Sequence, residues 1–225
     1  KLLYSTVTRG MDDTNRGVLG ADVGNYERHQ AFSLDFWLLA AQEYEDSAVL
    51  NNLENDNNGN AGYALKLEKN RLRFDVMHSR AGDRISVVST AAVPVKKWAH
   101  ITVTYDGSSR ARGVGLYLDG AKLDVDVVSD NLTRTIIPNG GGTLGDEYLG
   151  LQFGKRFRMT TLKDGAVDEI RVFKKALSPI EIRALQDPDA AFIDRELSGY
   201  LSSAGPDEVL DQVIQESPAA TAAVA

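Results

Sequence analysis

The stretch WAHITVTYDGSSRARGVGLYLDG, residues 98–120, decides the fold class. Ile101, Val103 and Tyr105 alternate with Thr102 and Thr104. Beyond a polar tip, Val114, Leu116 and Leu118 alternate with Gly115, Tyr117 and Asp119. A two-residue period sends one set of side chains to a core and the other toward water, so both halves read as half-buried strands. Asp106-Gly107 ends the first strand and Asp119-Gly120 the second; such dipeptides accept the positive φ of tight turns. The stretch is a hairpin with a long tip over Ser108 to Arg112, and it points to an antiparallel sandwich.

Working outward, Phe32, Leu34, Phe36 and Leu38 alternate with Ser33, Asp35, Trp37 and Leu39, a strand that sends Phe32 and Phe36 to the core. Tyr63, Leu65 and Leu67 form another strand, Lys69-Asn70 a turn, and Leu72, Phe74 and Val76 the return, with Arg71, Arg73 and Asp75 on the opposite face. Ile85 and Val87 begin the next strand, which Pro94 closes. Leu2 to Val7 reads as a first strand. The segment Asn51 to Gly62 (NNLENDNNGNAG) is rich in asparagine and glycine, which favour turns over ladders, and reads as a surface loop. Downstream, Leu123, Val125 and Val127 alternate with Asp124 and Asp126 as one strand with an acidic outer face. Asn139 to Gly142 is a loop, Leu149, Leu151 and Phe153 form a strand that Arg156 to Met159 continues, and Ala166 to Phe173 (AVDEIRVF) is the last. About ten to twelve short strands with no helix between them predict an all-β, two-sheet antiparallel sandwich.

Helices are expected only at the end. Ser178-Pro179-Ile180-Glu181 has the residues of a capping box, with proline at the first helical position. Residues 189–201 and 207–216 carry apolar residues at helical spacing, and the alanine-rich 217–225 reads as a frayed tail.

The chain has 225 residues, 43% apolar and 25% charged, which excludes wholesale disorder and suits one main domain. With no cysteine, neither disulfides nor thiolate metal sites hold the fold. A net charge of −7 argues against nucleic acid or an anionic membrane surface as the main partner. No apolar run is long enough for a spanning helix, so membrane insertion is not expected. The start at Lys1, without an apolar leader core, reads as a piece excised from a larger protein.

Five segments in order carry a family resemblance: FSLDFWL (32–38), GYALKLEKNRLRF (62–74), WAHITVTYDG (98–107), LYLDG (116–120) and GAVDEIRVFKKALSPIEI (165–182). Together they resemble the LamG-like, concanavalin A-like jelly-roll superfamily. YDGSSRARGVGLYLDG (105–120), DNLTRTI (130–136) and GKRFR (154–158) resemble the branch embedded in multidomain proteins of the planctomycete cytochrome c type. The chain has no CxxCH haem motif. The resemblance implies a jelly-roll domain over 1–185, a helical linker over 186–216 and a disordered tail over 217–225. It further implies an accessory module of a larger bacterial protein, exported to the periplasm or cell surface. The fold hosts many ligands, so no single activity follows.

The candidate sites divide by chemistry. Asp124 and Asp126 have the alternate spacing of paired hydrolytic carboxylates, but their strand reads as a solvated outer face. His29, His78 and His100 have no neighbouring serine or ligand motif, and an enzyme is not expected. Asp168 shares its strand face with Ala166, Ile170 and Val172, and a carboxylate there must be hydrogen-bonded, ion-paired or metal-bound. The resemblance implies a structural Ca²⁺ at this aspartate, with Asp22 and Asn25 as further oxygen donors. Arg156 and Arg158 alternate with Phe157; they either grip an acidic polysaccharide or neutralise nearby carboxylates. Trp37, Trp98 and Tyr148 are either stacking platforms for sugars or packing residues, and Trp37 lies on the non-core face of its strand. Two functions compete: a noncatalytic module that binds carbohydrate, and an interaction domain that orders neighbouring protein domains.

Overall fold

A computed structural model describes residues 24–53, 61–79, 82–137, 151–154 and 161–186. The strands are β1 (Phe32–Leu39), β2 (Asp46–Leu53), β3 (Gly62–Glu68), β4 (Arg71–Met77), β5 (Arg84–Ala92), β6 (Trp98–Tyr105), β7 (Val114–Leu118), β8 (Ala121–Lys122), β9 (Val125–Asp130), β10 (Gln152–Phe153) and β11 (Ala166–Phe173). Among the described residues they form a five-stranded sheet ordered β11-β1-β6-β7-β8 and a six-stranded sheet ordered β10-β2-β3-β4-β5-β9. All the strand pairings are antiparallel. This is the two-sheet sandwich that the alternation predicted.

One core lies between the sheets, and the predicted phases supply it. Leu34, Phe36 and Leu38 of β1 and Ile101 and Val103 of β6 meet Leu65, Leu67, Leu72, Phe74 and Val76 of the other sheet. Phe32 centres an aromatic group, with ring centroids 4.6 Å from Tyr26, 4.8 Å from Tyr63 and 5.5 Å from Tyr105. Such pairs add about 0.5–1.5 kcal/mol each beyond the area they bury.

The tip of the β6–β7 hairpin is fixed by polar contacts. Asp106 Oδ1 accepts the Ser108 N–H at 2.8 Å. The Tyr105 hydroxyl accepts from Ser109 N at 2.9 Å and donates to the Arg28 carbonyl. Gly107 has φ 79, and a Cβ there would stand 2.6 Å from the His29 carbonyl oxygen, so only glycine fits.

Three local expectations need correction. Asn51 and Asn52 belong to strand β2 and are buried, not looped out. The Asn52 amide donates to the Gly24 carbonyl at 2.7 Å, so a tertiary partner overrides the turn preference of asparagine. The segment from Leu123 to Val127 is not one strand: β8 lies in the smaller sheet and β9 in the larger, and Leu123 and Asp124 make the crossing. Val127 accordingly ends 58% exposed. The third concerns β11, where the register with β1 shifts between Asp35 and Trp37 and Glu169 takes φ 48. This bulge puts Val167, Ile170 and Val172 in the core, so Asp168 does not share their face.

A second unit begins at Leu177. It opens with α1 (Pro179–Gln186), whose predicted capping box is formed: Glu181 Oε2 accepts from Ser178 N at 2.9 Å, and Glu181 N approaches Ser178 Oγ at 3.4 Å. The strand over Leu2 to Val7 and the helices over 189–201 and 207–216 lie outside the described residues. No helix among those described is long and apolar enough to cross a membrane.

Candidate functional site

The outer face of the six-stranded sheet carries a polar row that crosses every strand. The register aligns Gln152 with Asn51, Asn51 with Ala64, Ala64 with Asp75, Asp75 with Ser86, and Ser86 with Ser129. These positions point outward because their strand neighbours, such as Tyr63, Leu65, Phe74 and Val76, fill the core. Beside the row, Leu53, Ala64 and Met77 make a small apolar cluster. Within the row Gln152, Asn51, Ala64, Asp75 and Ser86 are buried, as are Leu53 and Met77 beside it, and Ser129 alone is partly exposed.

Next along the same face come two charged rows, Lys66–Arg73–Val88–Asp126 and Asp46–Glu68–Arg71. Their charges pair with one another. Lys66 Nζ lies 2.9 Å from Asp46 and 3.0 Å from Glu68, and Arg73 lies 2.9 Å from Glu68 and 3.3 Å from Asp75. Arg71 reaches Asp126 at 3.8 Å. Burial alone would raise the Glu68 carboxyl, but the hydrogen bonds and charges of Lys66 and Arg73 outweigh it and hold it below the usual range.

The outer face of the five-stranded sheet is built differently. Asp35 of β1 and His100 and Thr102 of β6 have no exposure at all. Thr102 donates to Asp35 Oδ2 at 2.7 Å, and Arg171 of β11 donates to Asp35 Oδ1 at 3.1 Å and also to Glu169. His100 Nε2 stands 3.1 Å from Asp35 Oδ2 but off the line of a hydrogen bond, so both imidazole nitrogens lack a bonded partner. The contact is therefore electrostatic proximity, and a charged pair depends on the protonation of the ring. Sequence reading missed this group because its members come from three strands. The available signal was a carboxylate inside the apolar run FSLDFWL.

At the sandwich edge, the loop after β9 is held by two carboxylates. Asp83 accepts from Thr133 N at 2.7 Å, Thr133 Oγ1 at 2.9 Å and Arg134 Nε at 2.8 Å. Slight burial opposes ionisation, but these hydrogen bonds hold the Asp83 carboxyl well below the usual carboxylate range. Glu27 accepts from Thr135 Oγ1 at 2.5 Å and Ile136 N at 3.2 Å; burial raises it, the hydrogen bonds lower it further, and the net direction is down.

Of the sequence candidates, Trp37, Asn25, Asp168, Asp124 and Asp126 fall within the described residues. Trp37 does lie on the outer face, half-buried against His100 with ring centroids 5.1 Å apart. Asp168 pairs with Trp37 across the strands, and its Oδ1 accepts the Glu169 N–H at 2.7 Å. Asn25 sits elsewhere: its Oδ1 meets Asn52 Nδ2 at 3.4 Å, next to Tyr26, whose hydroxyl reaches the Phe173 carbonyl at 3.5 Å. Asp168 lies five residues back from Phe173 along β11, roughly 15 Å away. Asp22, Tyr148, Arg156 and Arg158 lie outside the described residues. Among those described, no three His, Asp or Glu side chains are placed to hold a metal. Asp124, whose carbonyl accepts from Thr90 N of β5 at 2.9 Å, and Asp126 are both exposed at the edge of the larger sheet, and Asp126 is engaged by Arg71.

Comparison with known proteins matches this geometry to a family. The family model described as "Concanavalin A-like lectin/glucanases superfamily" (Laminin_G_3) matches residues 12–183. No curated protein matches the sequence. Among solved structures, the fold is similar to Ruminococcus gnavus IT-sialidase CBM40, with TM-score 0.60 and 12% identity, covering 83% of this chain and 100% of that one. It is also similar to the binding domain of Paraclostridial Mosquitocidal Protein 1, with TM-score 0.58 and 16% identity, covering 83% of this chain and 46% of that one. A third is botulinum neurotoxin type C, whose cell entry depends on interaction with two ganglioside molecules: TM-score 0.50, 13% identity, 80% of this chain and 41% of that one. The chain spans about half the length or less of the toxin structures.

Proposed function

The chain belongs to the concanavalin A-like lectin/glucanases superfamily, and on that premise we propose that it is a noncatalytic module that binds carbohydrate on the outer face of its larger sheet. The observation that carries this reading is the pair of charged rows, Lys66–Arg73–Val88–Asp126 and Asp46–Glu68–Arg71, whose charged side chains are partly to largely exposed on that face. Hydroxyl-rich ligands need closely spaced donors and acceptors, and these rows present both. The kinds of protein sharing the fold, a sialidase CBM40 and toxin binding domains, agree with a binding role. The engagement of Asp126 by Arg71 at an exposed sheet edge counts against glycan cleavage by Asp124 and Asp126. In this proposal the module works inside a larger, exported bacterial protein.

A glycan array probed with the whole chain tests the reading. Binding of at least one oligosaccharide class is expected, weakened by Arg71→Ala; silence across the array overturns it.

A second reading rests on β9. This edge strand exposes Val127 at 58% and Val128 at 51%, and an open edge with apolar side chains can take a strand from a neighbouring protein domain. Pull-down by the wild type that fails with Val127→Lys, together with a silent array, would favour it.

A further inference from the structure

At the end of the charged rows, a pocket of about 490 Å³ opens between the segment before β2, the β3–β4 turn and the segment after β5. Its volume falls within the roughly 300–1,000 Å³ of small-ligand sites. Asn70 builds it. Its N–H donates to the Tyr44 carbonyl at 2.9 Å and its carbonyl accepts from Val93 N at 2.8 Å. Its side chain accepts from Tyr44 N at 3.2 Å and donates to the Val93 carbonyl at 2.6 Å. Lys69 N donates to the Glu45 carbonyl at 2.9 Å, and the Tyr44 hydroxyl donates to the Lys163 carbonyl at 2.5 Å. Asn70 holds φ 59, 6% exposed, so one residue ties three segments into a fixed wall.

What faces the opening is chemically mixed. Val93 and the 39%-exposed Val95 supply an apolar side. Glu43, Glu45 and Lys69 are exposed around it, and among the described residues none of these three side chains makes a hydrogen bond or an ion pair. The contrast with the adjoining rows is direct, since Lys66, Arg71, Arg73, Asp46, Glu68 and Asp75 are all paired. The pocket therefore presents two acceptors and one donor whose hydrogen-bonding capacity is not spent within the protein. The excess of carboxylate over ammonium repels an anionic ligand. A neutral ligand with many hydroxyls meets no such opposition. Its O–H groups donate to Glu43 and Glu45, its oxygens accept from Lys69, and its C–H face lies on Val93 and Val95.

We propose that this pocket seats the terminal unit of an uncharged glycan, whose following units run along the charged rows of the larger sheet. The inference rests on the carbohydrate-binding reading and adds to it the place of the chain end and the charge class of the ligand.

The test is titration calorimetry of the whole chain with uncharged oligosaccharides and with uronic-acid oligomers of equal length. Uncharged oligomers are expected to bind and uronic-acid oligomers to bind more weakly. Val95→Trp, which fills the pocket from an exposed position, is expected to weaken binding about tenfold or more. Glu45→Gln and Lys69→Asn should each weaken it about threefold to tenfold, the asparagine keeping a residue that tolerates φ > 0. Unchanged melting temperatures would show that the variants fold. Full affinity in a folded Val95→Trp chain overturns the pocket and leaves the carbohydrate reading standing, as does a preference for uronic-acid oligomers. Silence of every oligomer with the wild type overturns both.

Discussion

The outer faces of the two sheets spend their charges in opposite ways. On the smaller sheet, Asp35 is sunk to zero exposure and gathers Thr102 and Arg171, with His100 pressed beside it. On the larger sheet the ion pairs grade outward, from Asp75 with a 7%-exposed side chain to Asp126 at 67%. A buried carboxylate without partners costs several kcal/mol, whereas an exposed ion pair contributes about 0–1 kcal/mol. The first face is therefore a device for stability. The second holds charges cheap enough to rearrange around a ligand, and it ends at a pocket where three charges are unpaired. Two faces of one sandwich, with similar residue types, differ in role because they differ in burial.

The largest expected effect is at Asp35. Asp35→Ala takes from the mostly buried Arg171 its fully buried partner and should cost about 3 kcal/mol, read by urea denaturation. Asp75→Ala should cost about 1 kcal/mol, because Arg73 keeps Glu68. Equal losses at the two aspartates would break the comparison.

Next is the pH dependence of the edge loop. The Asp83 carboxyl is lowered in the folded chain, so its contribution is complete above about pH 4 and is lost as pH falls toward the folded value. Glu27 acts in the same direction on the same loop. Asp83→Asn is expected to melt lower than the wild type at pH 7 and to lose less on acidification. A wild-type melting temperature that falls no faster in acid than the variant's would show that the carboxylate does not brace this loop.

A smaller effect belongs to the exposed pair of the larger sheet. Arg71→Ala should cost under about 1 kcal/mol, and the loss should shrink in about 0.5 M salt, since Arg71 and Asp126 stand 3.8 Å apart and largely in water. A loss that ignores salt would mean that Arg71 contributes through packing.

The smallest expected effect is that of calcium. Because Asp168 already accepts the Glu169 N–H within its own strand, excess chelator should leave the melting temperature within roughly 1 °C. A clear fall would reveal an ion held by other oxygens, and repeating the measurement with Asp168→Asn would show whether that residue takes part.

Much of the sandwich was legible in the chain. Local alternation located β1, β3, β4, β6, β7 and β11, because a period of two is a property of neighbouring residues and needs no partner. The Lys69-Asn70 turn was equally readable, and both residues adopt the positive φ that a two-residue hairpin demands. β2 was not, because asparagine reads as turn until Gly24 arrives to accept from Asn52. The crossing at Leu123 and Asp124 was hidden by an alternation that continues unbroken from one sheet into the other.

The candidate site was less visible. Trp37 was placed on the correct face, yet the polar row needs a register across six strands, and the pocket needs three segments tied by one asparagine. Residues 98–120 and the three other segments determined by themselves the fold class and, outside the bulge of β11, the core phases, since each is written in a few consecutive side chains. Only the tertiary structure decided which polar residues meet, which of them are buried, and that the bulge at Asp168 turns it off the core face. Burial and long-range pairing are properties of packed surfaces, and no local period encodes them.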